Sequence, residues 1–222
     1  MTIKLFIFLV IGTIAMGVPI LGVCGKYQIA RWKGLIATLI LTIVGTLGTF
    51  LMYWIENGRW GGLSFYGAVF LVPVAFLAIS PLLRISYGAV TDLCAIGECI
   101  MLALMKVHCM LGGCCLGREL FVLHDGSVIR FPSRTFELLV ALVLFCVFLL
   151  WVVKSQNCKE FYAWFFVLYG STRFVLNIFR EAWVTKEMLL PIGNIWSIVS
   201  VIIGGIWLTV LYKKKNKPEN AI

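Results

Sequence analysis

Charged side chains are scarce in this sequence. Only 13% of the 222 residues are Asp, Glu, Lys or Arg, and the 10 acidic residues are outnumbered by 19 basic ones. A soluble domain of this size needs a largely polar surface, whereas 61% of these residues are hydrophobic and the mean hydropathy is +1.00. The composition therefore excludes a soluble globular protein and predicts a polytopic membrane protein.

Long polar segments are also missing, so we expect no second domain. A membrane-spanning helix needs roughly 20 apolar residues, and runs of about that length lie at Ile3–Val23, Gly34–Trp54, Leu63–Leu82, Val90–Leu104, Phe136–Val153, Phe161–Phe179 and Pro191–Tyr212. The prediction is an all-α bundle of about seven transmembrane helices that forms a single integral-membrane domain over residues 1–222. The first run lacks a small-residue cleavage site and is expected to be a retained helix.

Basic residues predict the orientation. They cluster between the first two runs, between the fifth and sixth, and after the last, at Lys26, Arg31, Lys33, Lys154, Lys159, Lys213, Lys214, Lys215 and Lys217. In a seven-span arrangement these segments share one side, which the excess of positive charge marks as cytoplasmic. The N-terminus is then outside and the C-terminus cytoplasmic.

Eight other basic residues fall on or near the predicted outer side, against this bias. They are Arg59, Lys106, Arg118, Arg130, Arg134, Arg173, Arg180 and Lys186. Each of them can reach lipid headgroups or pair with Glu56, Glu119, Glu137 or Glu181. Alternatively, several of them together bind an anionic ligand.

The segment 105–137 is a polar island between apolar runs. It holds both histidines, His108 and His124, and three of the eight cysteines, Cys109, Cys114 and Cys115. Thiol and imidazole groups suggest a redox or metal protein, but the segment has no Cys-x-x-Cys pair and no second pair of ligands at a suitable interval. We predict no metal ligand; a thiol-redox or metal protein is the third alternative, and a transporter is weaker still, because the spans show no internal sequence repeat.

Turn-forming residues divide this island. The glycines around Gly113 predict a broken helix that lines a cavity and presents backbone N–H groups to an anion. The Asp125-Gly126 pair between alternating apolar residues predicts a short β-hairpin over 120–130. Just upstream, Glu98 is an intramembrane carboxylate that needs a partner such as Lys106, either as a structural ion pair or as a proton carrier.

Two further stretches carry candidate site residues. A glycine-rich entry to the third span contains Gly62, Ser64 and Tyr66. Near the end of the sixth span, Arg173, Asn177 and Arg180 are separated by four and three residues, a spacing that predicts one polar stripe on a helix. Two guanidinium groups and an amide on such a stripe suit a phosphate group.

The order of these motifs resembles the bacterial prolipoprotein diacylglyceryl transferase family. The motifs are GGLSFYG, MKVHCMLGGCCLGRE, RFPSRTFELL, YGSTRFVLNIFRE and IGNIWSIVSVIIG, and they cover about Gly61 to Gly205. The resemblance implies a plasma-membrane enzyme of the bacterial inner membrane. Such an enzyme moves the diacylglyceryl group of phosphatidylglycerol to the cysteine thiol of a prolipoprotein and releases glycerol phosphate.

The chain departs from the family pattern at three positions that the family treats as functional. Tyr66 stands where the family usually has histidine, Lys106 where it has arginine, and Asn177 where it has glutamate, while Arg173 and Arg180 are retained. We predict catalytic roles for Arg173, Lys106, Tyr66 and His108 and substrate binding by Arg180, Asn177, Arg118, Gly62, Gly113 and Ser64, although His108 stands where the family pattern has glycine. A tyrosine with an ordinary pKa of about 10 is a poor proton acceptor, so His108 or His124 is an alternative base.

The resulting hypothesis is a membrane-embedded transferase without a cofactor. Its expected partners are phosphatidylglycerol and the signal peptide of a prolipoprotein or another exported acceptor, with no nucleic acid. The alternative hypothesis is a non-catalytic relative that binds anionic lipid or signal-peptide helices.

Overall fold

The computed structural model describes residues 3–113, 115–125, 127–154, 159–180 and 192–216. Within these ranges it contains seven α-helices and one β-hairpin. The elements are α1 (Ile3–Val23), α2 (Arg31–Asn57), α3 (Tyr66–Leu83), α4 (Tyr87–Leu111), β1 (Glu119–Val122), β2 (Val128–Arg130), α5 (Ser133–Lys154), α6 (Phe161–Ile178) and α7 (Ile192–Lys215). The predicted helical class and the predicted hairpin are both confirmed.

Six of the helices are long and apolar enough to cross a membrane. The remaining helix, α6, is not one of them, because Ser171, Thr172, Arg173 and Asn177 make its second half polar. The chain is therefore a polytopic membrane protein. The count of seven spans and the orientation of the termini stay predictions.

Helix α4 lies at the centre of the bundle and packs against α1, α2, α3, α5 and α6. Its buried carboxylate Asp92 accepts hydrogen bonds from the Tyr27 hydroxyl at 2.9 Å and from the Phe161 backbone N–H at 2.8 Å. The second bond caps the N-terminus of α6, where the backbone N–H groups have no partner within the helix. Asp92 thus holds α4, α6 and the turn after α1 together.

Glycines set how closely neighbouring helices approach. A Cβ on Gly67 of α3 would lie 1.8 Å from the Gly48 carbonyl oxygen of α2, so these two helices meet backbone to backbone. Small residues of this kind are the usual means of close packing between helices in lipid. The same device joins α6 to α7 through Gly204, whose added Cβ would lie 2.8 Å from the Ala163 carbonyl oxygen.

Two adjacent glycines of α7 test this packing. Replacement of Gly204 by alanine is expected to destabilise the protein by about 1–3 kcal/mol, because the new methyl group collides with α6. Gly205 has no atom within 4 Å of an added Cβ, so Gly205→Ala is expected to be neutral or slightly stabilising, since alanine favours the helix. Unfolding of both variants in detergent checks this, and equal stability of the two would contradict the packing described.

Polar groups from six helices meet at one end of the bundle. Hydrogen bonds and ion pairs join the C-terminal parts of α2, α4 and α6 to the segment just before α3 and to the N-terminal parts of α5 and α7. The hairpin lies at this same end, with Glu119 opposite Arg130 and Val122 opposite Val128. The polar island of the sequence is therefore one end of the bundle.

Candidate functional site

A cavity of about 760 Å³ opens between α1, α2, α3, α4 and α6 at this end. Eight of the predicted site residues line it: Arg173, Lys106, Tyr66, His108, Arg180, Asn177, Gly62 and Ser64. The other two, Arg118 and Gly113, are exposed and are not among the lining residues. The structure thus brings together side chains that are more than 100 residues apart in sequence.

Two cations in this cavity share one carboxylate. Lys106 of α4 and Arg173 of α6 both form ion pairs with Glu137 Oε2 of α5. Lys106 is 7% exposed and Glu137 is 4% exposed. Arg180 also lies within electrostatic reach of this group, so three cations face one carboxylate. We call these four residues the cation cluster, and its surplus of two positive charges suits an anionic ligand.

The guanidinium of Arg173 has donor capacity left for a ligand. Its Nε is buried and has no hydrogen-bond partner among the described residues. A guanidinium has five N–H donors in a planar fork that matches phosphate oxygens. A phosphate in the cavity would satisfy this buried donor.

Arg180 reaches the cavity by a different route from the one predicted. The sequence spacing predicts one helical stripe through Arg173, Asn177 and Arg180, but α6 ends at Ile178. Arg180 instead forms an isolated β-bridge with Gly117. On its other side, Gly117 packs against the backbone of Phe131. An added Cβ on Gly117 would lie 1.9 Å from the Phe131 carbonyl oxygen, so only glycine allows these two backbone segments to lie this close.

The predicted pairing of Glu98 with Lys106 is wrong. Lys106 forms its ion pair with Glu137 instead, because the C-terminal part of α4 packs beside the first turns of α5. Glu98, eight residues earlier, lies 2.7 Å from the Tyr162 hydroxyl instead. It forms no ion pair with any residue that the structure describes, and it lines the inner part of the cavity.

Two of the three positions that depart from the family pattern form cross-links between helices. The Tyr66 hydroxyl lies 2.6 Å from Ser197 Oγ, which joins α3 to α7. Asn177 donates from Nδ2 to Asn194 Oδ1 at 2.8 Å, which joins α6 to α7. Both side chains remain at the cavity wall, where they position α7 beside the cation cluster.

The two histidines lie in different environments. His108 lines the cavity, and its Nδ1 is buried without a hydrogen-bond partner among the described atoms. His124 is exposed at the turn of the hairpin and is not among the residues that line the cavity. The structure therefore favours His108 over His124 as a group that acts on a bound ligand.

Predicted residues at the rim have structural contacts. Ser64 donates from Oγ to Glu56 Oε1 at 2.7 Å, and Gly62 lies against the ring of Tyr53. The backbone of Arg118 contacts the end of α6, because its N–H donates a hydrogen bond to the Phe179 carbonyl at 2.9 Å. Of the island's cysteines, Cys109 and Cys115 line the cavity, and Cys114 lies outside the described residues.

Sequence reasoning gave no site role to Glu137. It named this residue only as one of four possible counter-ions. A signal was present, because Glu137 lies in the first turns of an apolar helix that follows directly after the polar island. Sequence reasoning also gave Asn194 and Ser197 no role beyond membership of a motif. In the structure Asn194 forms a hydrogen bond with Asn177, and Ser197 forms one with Tyr66.

The order of the sequence motifs agrees with a known family. The sequence pattern of the family described as prolipoprotein diacylglyceryl transferase matches residues 2–211. The chain belongs to the prolipoprotein diacylglyceryl transferase family. As a member of this family with several apolar helices, it is a multi-pass protein of the bacterial inner membrane.

Several similar proteins are named phosphatidylglycerol–prolipoprotein diacylglyceryl transferase. The one from Mannheimia succiniciproducens is 24% identical over 171 residues, covering 72% of this chain and 64% of that protein. The one from Methylobacillus flagellatus is 26% identical over 161 residues, covering 68% and 61%. The one from Brucella anthropi is 28% identical over 201 residues, covering 77% and 69%. The chain therefore matches 61% to 69% of the length of these transferases.

Proposed function

We propose that this protein transfers the diacylglyceryl group of phosphatidylglycerol to the cysteine thiol of a prolipoprotein. The observation that carries the proposal is the convergence of Lys106, Arg173 and Arg180 on one cavity with Glu137 as their shared counter-ion. The similar proteins bear the name of this activity. The three residues that depart from the family pattern, Tyr66, Lys106 and Asn177, all line this cavity.

The cation cluster would act on the phosphate. In the reaction a sulfur–carbon bond forms and the bond between the glyceryl carbon and the phosphate oxygen breaks, so glycerol phosphate leaves with the electron pair. Negative charge grows on that oxygen in the transition state, and fixed cations in a site of low dielectric stabilise it. Arg173 supplies a planar fork and Lys106 a point charge. Both are held by Glu137 before the lipid arrives, so little reorganisation is needed.

His108 is the base in this proposal. The incoming thiol must lose its proton, because the thiolate is the nucleophile. The neutral imidazole has an acceptor nitrogen, and His108 lines the cavity with a buried Nδ1 that has no hydrogen-bond partner among the described residues. Tyr66 is already engaged with Ser197 at 2.6 Å and acts in the proposal as a positioning group.

A reconstituted assay tests the transferase. Purified protein in vesicles that contain phosphatidylglycerol is incubated with a peptide that carries a signal-peptide cysteine, and thioether-linked product is measured by mass spectrometry. We expect product with phosphatidylglycerol and none with phosphatidylcholine as the sole lipid. Absence of product in both lipids would refute the proposal.

The histidines provide a prediction within this assay. Replacement of His108 by alanine is expected to lower the transfer rate by about 100-fold or more, because general base catalysis commonly contributes 10²–10⁴. His124→Ala is the matched control and is expected to keep the wild-type rate, since His124 is exposed on the hairpin. A loss of activity in His124→Ala equal to that in His108→Ala would contradict this assignment.

A second candidate function is a non-catalytic protein that binds anionic lipid. The three departures from the family pattern at Tyr66, Lys106 and Asn177 favour it. It uses the same cation cluster but needs no base. Phosphatidylglycerol that is retained through purification, with no thioether product, would support this candidate over the transferase.

A further inference from the structure

Glu98 is a buried carboxyl group that the proposed reaction does not use. It lies in the middle of α4, is 2% exposed, and lines the cavity together with Met16 and Leu41. No described residue forms an ion pair with it, and its Oε2 has no hydrogen-bond partner among the described atoms. An ionised carboxylate in such a place would cost several kcal/mol.

The hydrogen bonds around Glu98 show how this cost is avoided. The Tyr162 hydroxyl oxygen lies 2.7 Å from Glu98 Oε1 and 3.1 Å from the Val69 carbonyl oxygen. A tyrosine hydroxyl has one proton to donate, and a carbonyl can only accept. Both contacts are full two-centre hydrogen bonds when Tyr162 donates to Val69 and the carboxyl group of Glu98 is protonated and donates to Tyr162.

The Val69 carbonyl has a specific need for the Tyr162 proton. In α3 its usual donor, four residues later, is Pro73, which has no N–H. A buried carbonyl without a donor is costly in lipid, where water is absent. Tyr162 therefore supplies the missing hydrogen bond, and Glu98 completes the chain as a neutral acid.

We propose that protonated Glu98 forms a polar subsite at the inner end of the cavity, where Oε2 accepts a hydrogen bond from a hydroxyl or amide group in the apolar part of a bound lipid. With the acid proton on Oε1, the remaining Oε2 is a carbonyl-type acceptor without a partner among the described atoms, on a side chain that lines the cavity. Apolar side chains such as Met16, Leu41 and Ala68 line the same cavity. The identity of the ligand as a lipid rests on the proposed function.

The spacing along α4 places this subsite in the acyl region. Glu98 and Lys106 are eight residues apart, which is about 12 Å along a helix axis. A lipid phosphate at the cation cluster would therefore direct its acyl chains, and not its headgroup, toward Glu98. The matching ligand is a phospholipid that carries a hydrogen-bond donor on an acyl or amide-linked chain.

Competition between two lipids tests the subsite. The probes are phosphatidylglycerol whose chains carry a mid-chain hydroxyl group and the same lipid without it, mixed in detergent and measured on the intact protein by native mass spectrometry. Wild-type protein is expected to retain the hydroxylated lipid about fivefold better, the value of one ordinary hydrogen bond. Equal retention of the two lipids would overturn the proposal.

Two variants separate the neutral acid from other roles of Glu98. Glutamine has the shape and the donor–acceptor pair of a protonated glutamate, so Glu98→Gln is expected to keep the lipid preference and the stability. Glu98→Leu is expected to lose the preference, because it has no acceptor. A preference that survives in Glu98→Leu, or one that is lost in Glu98→Gln with the fold intact, would refute the subsite.

Infrared spectroscopy provides a test that needs no lipid. Wild-type protein is expected to show the carbonyl band of a protonated carboxylic acid at neutral pH, and this band should disappear in Glu98→Gln. Absence of the band in the wild type would refute the protonated state. These outcomes are independent of the transferase assay, which uses plain phosphatidylglycerol, so each proposal can fail while the other stands.

Discussion

Replacement of Arg173 by alanine is expected to lower the transfer rate by about 100- to 1000-fold, the usual loss when one fixed group that stabilises developing negative charge is removed. Arg173 is placed for this role because its Nε is buried and lacks a hydrogen-bond partner among the described residues. The fold should persist, since Glu137 keeps Lys106 as its ion-pair partner. Initial rates in phosphatidylglycerol vesicles, together with a thermal unfolding curve, measure both effects.

Arg59→Ala is the matched control for this variant. Arg59 is exposed at the same end of the bundle and is not among the residues that line the cavity. We expect its variant to keep the wild-type rate, which would show that the loss is not a general effect of charge near the membrane surface. Arg173→Lys should retain part of the activity, because lysine keeps the charge but not the fork. A normal rate in Arg173→Ala would remove the basis of the proposed function.

Replacement of Glu137 by glutamine is expected to have the largest effect on stability. Glu137 is the carboxylate shared by Lys106 and Arg173, and its removal leaves two buried cations side by side. Breaking a buried ion pair by removing one partner typically costs 3–5 kcal/mol, so we expect a loss of about that size. Unfolding in a detergent without anionic lipid measures it.

An anionic lipid should reverse part of this loss. A phosphate that enters the cavity supplies the negative charge that Glu137→Gln lacks, so phosphatidylglycerol is expected to stabilise the variant more than the wild type. Phosphatidylcholine has no net charge and should show no such difference. If both lipids stabilise both proteins equally, the cation cluster does not select an anionic lipid.

Glu119→Gln is the matched control for this variant. Glu119 forms an ion pair with Arg130 at 2.6 Å, but the Glu119 side chain is 51% exposed. Exposed pairs contribute about 0–1 kcal/mol, so the variant should unfold close to the wild type. Comparable destabilisation by both substitutions would show that burial of the cluster is not the cause.

Local patterns predicted much of the fold. Apolar runs located the helices because each helix must be apolar along the length that meets lipid, whatever its neighbours are. The hairpin was also predictable, because the turn and the strands around Asp125 are encoded within a dozen residues. The left-handed backbone at Gly113, with a φ of 68°, fits the predicted break after α4.

Predictions that needed a partner from a distant helix were less successful. Glu98 and Lys106 are close in sequence and were expected to pair, but the first turns of α5 bring Glu137 to Lys106 instead. The spacing of Arg173, Asn177 and Arg180 predicted one helical stripe, but α6 ends at Ile178, and Arg180 forms a β-bridge with Gly117 instead of a further helical turn. In both cases a tertiary contact replaced the nearest local partner.

The sequence by itself determined the helical class, the membrane environment, the hairpin and the family, because hydropathy and motif order are properties of the chain alone. Only the tertiary structure decided which charges meet. Ion pairs and hydrogen bonds depend on side-chain distances of a few ångströms between helices, and helix packing sets these distances. The packing gives Lys106 and Arg173 a common carboxylate in Glu137 and leaves Glu98 beside Tyr162.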